Sequence, residues 1–374
     1  MLARFSVKNF KSFKDEVVFD LSQTKRFEFA ESCVRNGIVN NALIYGPNGS
    51  GKSNLGFALF DIVATITDKQ RRAEAYANYL NADSDGEIAE FRFEFVFGES
   101  TLTYTYGKRS FEEIIYEHLY INEHPVLSYD RRNKQIQTVH IDLPGTETLI
   151  KDLAQIKISA VKYLKTNAVL QESKESSVFL AFFNFAERML HFRNLDDRFY
   201  QGYEIGTRDI FEDILNNNNL QDFIRFLKKA EIDCDLEILK LNDRRKLAFR
   251  FSKRNIDFWE SASTGTHALS LFYYWQQRMN RPDAAPSFVF IDEFDAFYHQ
   301  DISEAIVREL IGRPYQTILT THNTSLMTND LLRPDCYFVL KNQKILSFSM
   351  VSDKDIRKAH NIEKMYRAGS FNHD

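Results

Sequence analysis

The chain of 374 residues is 44% apolar, which is enough for one large domain or two interlocked lobes built around a sizeable core. Lys+Arg number 48 against 52 Asp+Glu, and the resulting net charge of −4 excludes a strong global field for polyanions while leaving room for a local basic patch. Low Gly (14) and Pro (7) with high Phe (33) exclude a low-complexity chain, and no apolar run reaches the ~18 residues of a membrane-spanning helix, so no membrane partner is expected.

The N-terminus intersperses Arg4, Lys8, Lys11 and Lys14 with apolar residues and so lacks the continuous apolar segment of a secretory signal. Phe5 and Val7 alternate with polar neighbours, and Val17–Phe19 forms a second short strand. Cys33, Cys234 and Cys336 are odd in number and scattered, which predicts buried fillers in a reducing cytoplasm, with neither a disulfide framework nor a zinc site. Ala42–Tyr45 is a compact apolar strand that runs into Gly46-Pro47-Asn48-Gly49-Ser50-Gly51-Lys52-Ser53, a match to G-x-x-x-x-G-K-[ST] at every fixed position. A helix follows, with Leu55, Leu59, Ile62, Val63 and Ile66 on one face. Small residues there let main-chain N–H groups converge on phosphate oxygens at a helix N-terminus. Lys52 then neutralises charge on the β- and γ-phosphates of ATP, and Ser53 offers a hydroxyl to Mg2+.

Phe91, Phe93, Phe95 and Phe97, a turn at Gly98–Ser100, then Leu102, Tyr104 and Tyr106 spell an antiparallel hairpin with a buried aromatic face. Strand-like pieces continue to about Ile141. From Thr148 to Asp235 the texture turns to helices without sustained heptads. Lys240–Ile256 reads as a basic hairpin carrying Arg244, Arg245, Lys246, Arg250, Lys253 and Arg254, either a charge-protected strand edge or a contact for nucleic acid or an acidic partner. A helix then places Ala268, Leu271, Phe272, Trp275 and Met279 on one stripe. Ser261-Ala262-Ser263-Thr264-Gly265-Thr266 sits at its start and fits either an anion site or an ordinary cap.

After Pro286 the pattern is strand, helix, strand: Phe288–Ile291, a helix around Ile302–Ile311, and Thr317–Leu319. The first strand ends in Asp292-Glu293. Asp292 is placed to hold the metal through its water shell, and Glu293 to polarise a water attacking the γ-phosphate. Adjacent strand ends of an open α/β sheet converge on one crevice, so His322, in Thr320-Thr321-His322-Asn323, falls beside Glu293, where a ring N–H can stabilise charge on the transferred group. Two last strands, Tyr337–Leu340 and Ile345–Phe348, precede a polar tail. Strands on both sides of a long helical stretch imply a mixed α/β sheet assembled from both ends of the chain.

Lys52 and Asp292 lie 240 residues apart, with the Ser/Gly cap shortly upstream of the acidic strand. In this order the motifs resemble the ABC-type ATPases of the SMC and RecF-like group. More narrowly, "FSVKNFKSFKD", "YGPNGSGKSN", "ESASTGT", "FIDEFDAFYH", "TTHN" and "IEKMYRAGSF" look like the ATPase domain of the overcoming-lysogenisation-defect family and related ATPases of anti-phage defence operons. The resemblance implies an ABC-type P-loop NTPase head, a mixed sheet plus antiparallel β subdomain, with a helical insertion lobe. Its segments would be 1–147 with the phosphate loop, 148–239 as the helical insertion, and 240–374 with the signature, acidic strand and switch histidine.

The resemblance also implies that Ser263 and Gly265 are signature residues, Glu293 the catalytic base, and His322 the switch histidine. Asp295 with Tyr298-His299 would form the loop that crosses a dimer interface, and Gln171 would be the metal-sensing glutamine between the lobes. The signature reads S-T-G-T-H-A and lacks the usual glutamine or basic residue after it, which weakens the implied γ-phosphate contact. One signature and one phosphate loop per chain imply two composite sites in a head-to-tail homodimer glued by ATP. The sequence ends soon after the ATPase motifs, so a nuclease or toxin activity is expected from a separate effector protein. The other expectation is a RecF-like repair ATPase that binds DNA through the basic hairpin.

Overall fold

The computed structural model describes residues 1–69, 76–132, 139–153, 158–193, 200–202, 214–215, 217–241, 244–281, 285–352 and 356–371. Two seven-stranded sheets face each other across a layer of helices. The first is antiparallel and comes entirely from the N-terminal part of the chain. Its strands are β1 (Leu2–Lys8) and β2 (Val17–Asp20), followed after the small β3 (Val34–Arg35)–β4 (Ile38–Val39) ladder and β5 (Asn41–Tyr45) by β6 (Ala89–Phe97), β7 (Ser100–Lys108), β8 (Ile114–Ile121), β9 (His124–Asp130) and β10 (His140–Ile141). They lie in the order β10-β9-β8-β7-β6-β1-β2. The period-two pattern dictates the inner face: Phe91, Phe93, Phe95, Leu102, Tyr104 and Tyr106 are buried, and Phe91 stacks on Tyr106 at 4.9 Å between centroids.

Helix α1 (Lys52–Ile66) occupies the middle layer. Its expected stripe is fully buried, but so are Ala58, Phe60 and Asp61 on other faces. A helix packed between two sheets buries more than one face, with only Ser53, Asn54, Phe57 and Ala64 half-buried, so a one-face reading of it is too narrow. Beside it, after α2 (Ala160–Asn167), α3 (Lys174–Glu187) fills the same layer through Phe182 and Phe185, whose rings meet Phe95 edge-on at 5.4 and 5.2 Å.

The second sheet is mixed. It adds β11 (Met189–Arg193) and β12 (Tyr200–Gly202), then β16 (Phe288–Asp292), β17 (Gln316–Thr321), β18 (Tyr337–Lys341) and β19 (Lys344–Ser347). The order is β12-β11-β16-β17-β5-β18-β19, with the five central strands parallel and both edge strands antiparallel. Strands from both ends of the chain share this sheet, as expected.

The stretch 148–239 departs from its helical reading. It supplies α2, α3 and α4 (Leu220–Lys229), but also β11, which is inside the main sheet and paired to the acidic strand. Met189-Leu190-His191-Phe192 is a short, mostly apolar stretch directly after a helix, and periodicity cannot separate such a stretch from more helix. Parts of that insertion, 194–199, 203–213 and 216, lie outside the described residues.

The basic hairpin is a three-stranded sheet, β13 (Leu236–Leu241), β14 (Arg244–Arg250) and β15 (Asn255–Asp257); its turn at 242–243 lies outside the described residues. The short α5 (Phe258–Ser261) leads to α6 (Thr264–Met279), where Trp275 of the expected stripe stacks on Phe192 of β11 at 6.1 Å. Helix α7 (Gln300–Leu310) joins β16 to β17, and β19 is followed by α8 (Phe348–Val351) and α9 (Ile362–Arg367). The polar tail is docked: Phe371 is buried and stacks on Phe348 at 4.1 Å. Cys33 and Cys336 are buried and free, and Cys234 is half-buried.

Candidate nucleotide site at the carboxyl edge of the mixed sheet

Phosphate loop, acidic pair and histidine belong to three adjacent parallel strands. Tyr45 pairs with Thr321, Leu43 with Leu319, and Leu319 in turn with Ile291, so β5, β17 and β16 end at one level and their following residues meet. This carboxyl edge is where open α/β sheets bind ligands.

The loop 46–53 turns tightly out of β5. Gly51 caps α1 at φ +103°, a left-handed backbone that side chains disfavour. At Gly46 a Cβ would stand 2.5 Å from Ser50 Oγ and 2.6 Å from Leu340 O. Lys52 is almost wholly buried and folds over the loop, donating from Nζ to Gly46 O (2.8 Å) and Pro47 O (3.2 Å). Burial lowers its pKa, and the charges of Asp292 and Glu293 work in the opposite direction. Ser50 Oγ is buried without a hydrogen-bond partner. A spare buried hydroxyl, a lysine and main-chain N–H groups at a helix start fit a chain of phosphates.

Asp292 is 1% exposed. Its Oδ1 accepts from Thr320 Oγ1 at 2.7 Å, and the same Thr320 oxygen accepts from the Glu293 N–H at 2.7 Å. One hydroxyl on β17 thus fixes both ends of the acidic dipeptide. Glu293 has φ +49°, a left-handed conformation costly for a side-chain-bearing residue. That twist turns the second carboxylate out of the strand, so Glu293 Oε1 stands 3.9 Å from His322 Nε2. Burial lowers the His322 pKa, the Lys52 charge pushes it the same way, and the nearby carboxylates oppose them.

Asp295 accepts from Thr321 Oγ1 at 2.7 Å, and burial raises its pKa. Hard oxygens from Ser53 and Asp292 suit Mg2+; among the described residues no group of three or more His, Cys, Asp and Glu is placed to hold a metal.

Sequence reading missed Arg193. As the last residue of β11 it pairs with Asp292, and its guanidinium reaches both acids: Nη2 lies 3.0 Å from Glu293 Oε2 and Nε lies 3.4 Å from Asp292 Oδ2. Met189–Arg193 resembles Phe288–Asp292 in ending on a charge, but His191 interrupts its apolar run, so the sequence does not mark it as a strand. Thr320 was also overlooked as the clamp of the acidic pair.

The Ser/Gly segment forms a cap. Ser263 Oγ accepts from Thr266 N at 3.2 Å, and a Cβ on Gly265 would lie 3.0 Å from Phe297 O, so the signature segment rests against the 294–298 loop. Among the described residues it makes no hydrogen bond to the phosphate loop of its own chain. Gln171 is exposed in the connection between α2 and α3, where its N–H donates to Pro144 O (3.0 Å); it makes no hydrogen bond to the phosphate loop or acidic pair. In the basic sheet Lys246 pairs with Asp257 at 3.1 Å and Arg250 pairs with Asp235, so part of the charge is neutralised within the chain. Arg245 is exposed, and the side chain of Arg244 lies outside the described residues. A cleft of about 430 Å³ among α4, α6 and α7 includes none of the motif residues.

A protein-family profile described as "AAA domain, putative AbiEii toxin, Type IV TA system" matches residues 42–328. No curated protein matches the chain. Among solved structures, an SMC head bound to the C-terminal winged-helix domain of ScpA is similar at 13% identity and a TM-score of 0.45, covering 92% of this chain and 97% of that one. The SMC head domain from Thermotoga maritima is similar at 15% identity and 0.39, covering 92% and 97%. The recombination mediator RecF is similar at 15% and 0.40, covering 93% and 98%.

Proposed function

The chain belongs to the AAA-domain family that includes the putative AbiEii toxin of type IV TA systems, and from that premise we propose that it binds and hydrolyses ATP as a two-fold dimer and uses the cycle to hold or release a separate effector protein in anti-phage defence. The observation that carries the catalytic part is the meeting of Lys52, Asp292, Glu293 and His322 at one sheet edge. Main-chain N–H groups of 46–53 and Lys52 bind and orient the triphosphate. Ser53 and Asp292 would hold Mg2+, which would offset the charge of the phosphates. Glu293 accepts the proton of the attacking water from its turned-out position, and His322 donates a ring N–H toward the terminal phosphate.

Ser263 and Gly265 stand at an exposed helix start that makes no hydrogen bond to the loop of its own chain, and this supports a signature that serves the phosphate loop of a second copy. Each site then needs both subunits, and loss of the terminal phosphate releases them. The defence role rests on the resemblance of the motifs and on the family description, and the separate effector rests on the resemblance of the motifs alone. The internal pairing of Lys246 and Arg250 favours this reading over DNA clamping.

Mixing two inactive variants tests the dimer. Lys52→Ala lacks a phosphate loop but keeps its signature, and Ser263→Arg has the opposite defect. Their heterodimer contains one intact composite site, so ATPase activity should return on mixing. If it does not return, or if wild-type chain held monomeric at high dilution turns over fully, the composite site is wrong. Pull-down of the product of the neighbouring gene, with ATP but not with ADP, tests the effector.

A further inference from the structure

Arg193 is fixed by the sheet. It is the last paired residue of β11, opposite Asp292, so its Cα is set by the ladder while its side chain, 34% exposed, reaches the edge. Each acidic residue there divides its oxygens. Asp292 gives Oδ1 to Thr320 and turns Oδ2 toward Arg193; Glu293 gives Oε2 to Arg193 and turns Oε1 toward His322. One guanidinium therefore spans the residue assigned to the metal and the residue assigned to the base.

Resting on the nucleotide reading above, we infer that Arg193 is a positioning residue that competes with the divalent metal for Asp292 and gives the site its preference for a terminal phosphate. A guanidinium and a dication on one carboxylate repel, so metal loading is opposed while Arg193 stays on the acids. The planar fork matches a phosphate at least as well as a carboxylate. A γ-phosphate draws Arg193 away, frees Asp292 for the metal and releases Glu293 Oε2. A nucleoside diphosphate offers no such partner. Metal and γ-phosphate thereby strengthen each other's binding by equal factors, as linkage requires.

The test is equilibrium metal binding. Mn2+ is titrated into protein saturated with ADP and, separately, with a non-hydrolysable ATP analogue, and free Mn2+ is read by electron paramagnetic resonance. Arg193→Gln should tighten Mn2+ binding in the ADP complex roughly fivefold, the upper range for a partly exposed ion pair, with a smaller change in the analogue complex. Arg193→Met, which keeps the apolar stem, serves as a second neutral variant if the first misfolds. Arg193→Lys, which keeps the charge, should return the midpoint toward wild type, a recovery that a purely structural role would not give. An unchanged or weakened midpoint in a folded neutral variant, with wild type binding both nucleotides, overturns the inference alone. A wild-type chain that binds neither nucleotide overturns the parent reading as well.

Discussion

The cation–carboxylate cluster around Asp61 and the one around Asp292 differ in kind, and only the second is built to change. Between α1 and β7, Lys108 Nζ meets Asp61 at 3.1 Å; Tyr106 donates to Asp61 Oδ1 at 3.0 Å, Tyr79 to Oδ2 at 2.9 Å, and Thr65 adds a further contact. Both charged residues are at most 2% exposed in their side chains, and every oxygen of the carboxylate has a partner. At the carboxyl edge of the mixed sheet, Arg193, Asp292, Glu293 and His322 are also clustered, but the arginine is one-third exposed, the Glu293–His322 contact is long, and the Glu293 backbone is strained. A buried pair with complete hydrogen bonding resists rearrangement, whereas a half-open cluster with loose contacts can exchange partners.

The contrast breaks if the buried cluster tolerates change. Lys108→Ala strands the Asp61 charge in the core and should cost about 3–5 kcal/mol of stability by denaturant unfolding, and a second change, Asp61→Leu, should recover much of it. Equal stability of Lys108→Ala and wild type would remove the structural half of the comparison. At the edge, Glu293→Gln should lower ATP turnover by about 10²–10⁴-fold while nucleotide binding persists, as read by single-turnover kinetics and a fluorescent analogue. Normal turnover would reassign the base.

Lys52→Ala should weaken ATP binding roughly hundredfold, the upper range for losing charged hydrogen bonds, while the unfolding midpoint barely moves. A large fall in the midpoint would mean that Lys52 is part of the scaffold. The smallest effect is expected at Ser263. Its replacement by alanine should cost α6 about 1 kcal/mol as a lost cap, while analogue-dependent dimerisation measured by light scattering should fall much further. A dimer unaffected by the change would leave Ser263 as a cap only.

The nucleotide edge was legible because its signals are local: a fixed loop pattern, an apolar run ending in Asp292-Glu293, and a histidine after the next strand. The aromatic hairpin was legible for the same reason, because strict alternation specifies a face. What escaped depends on pairing across the chain. β11 is too short for its period to declare a strand, so Arg193 could not be placed beside Asp292 from sequence. The enclosure of α1 needed both sheets, and the docked tail needed the Phe348 ring, neither of which periodicity reports. Thr320 was in view, but its role depends on a hydroxyl lying between two residues of another strand.

Helix α1 begins at the phosphate loop and, just past its middle, is riveted through Asp61 to Lys108 and Tyr106 of the opposite sheet. Most of its side chains are buried between the two sheets. The helix therefore joins the phosphate loop to a sheet that holds none of the reacting groups.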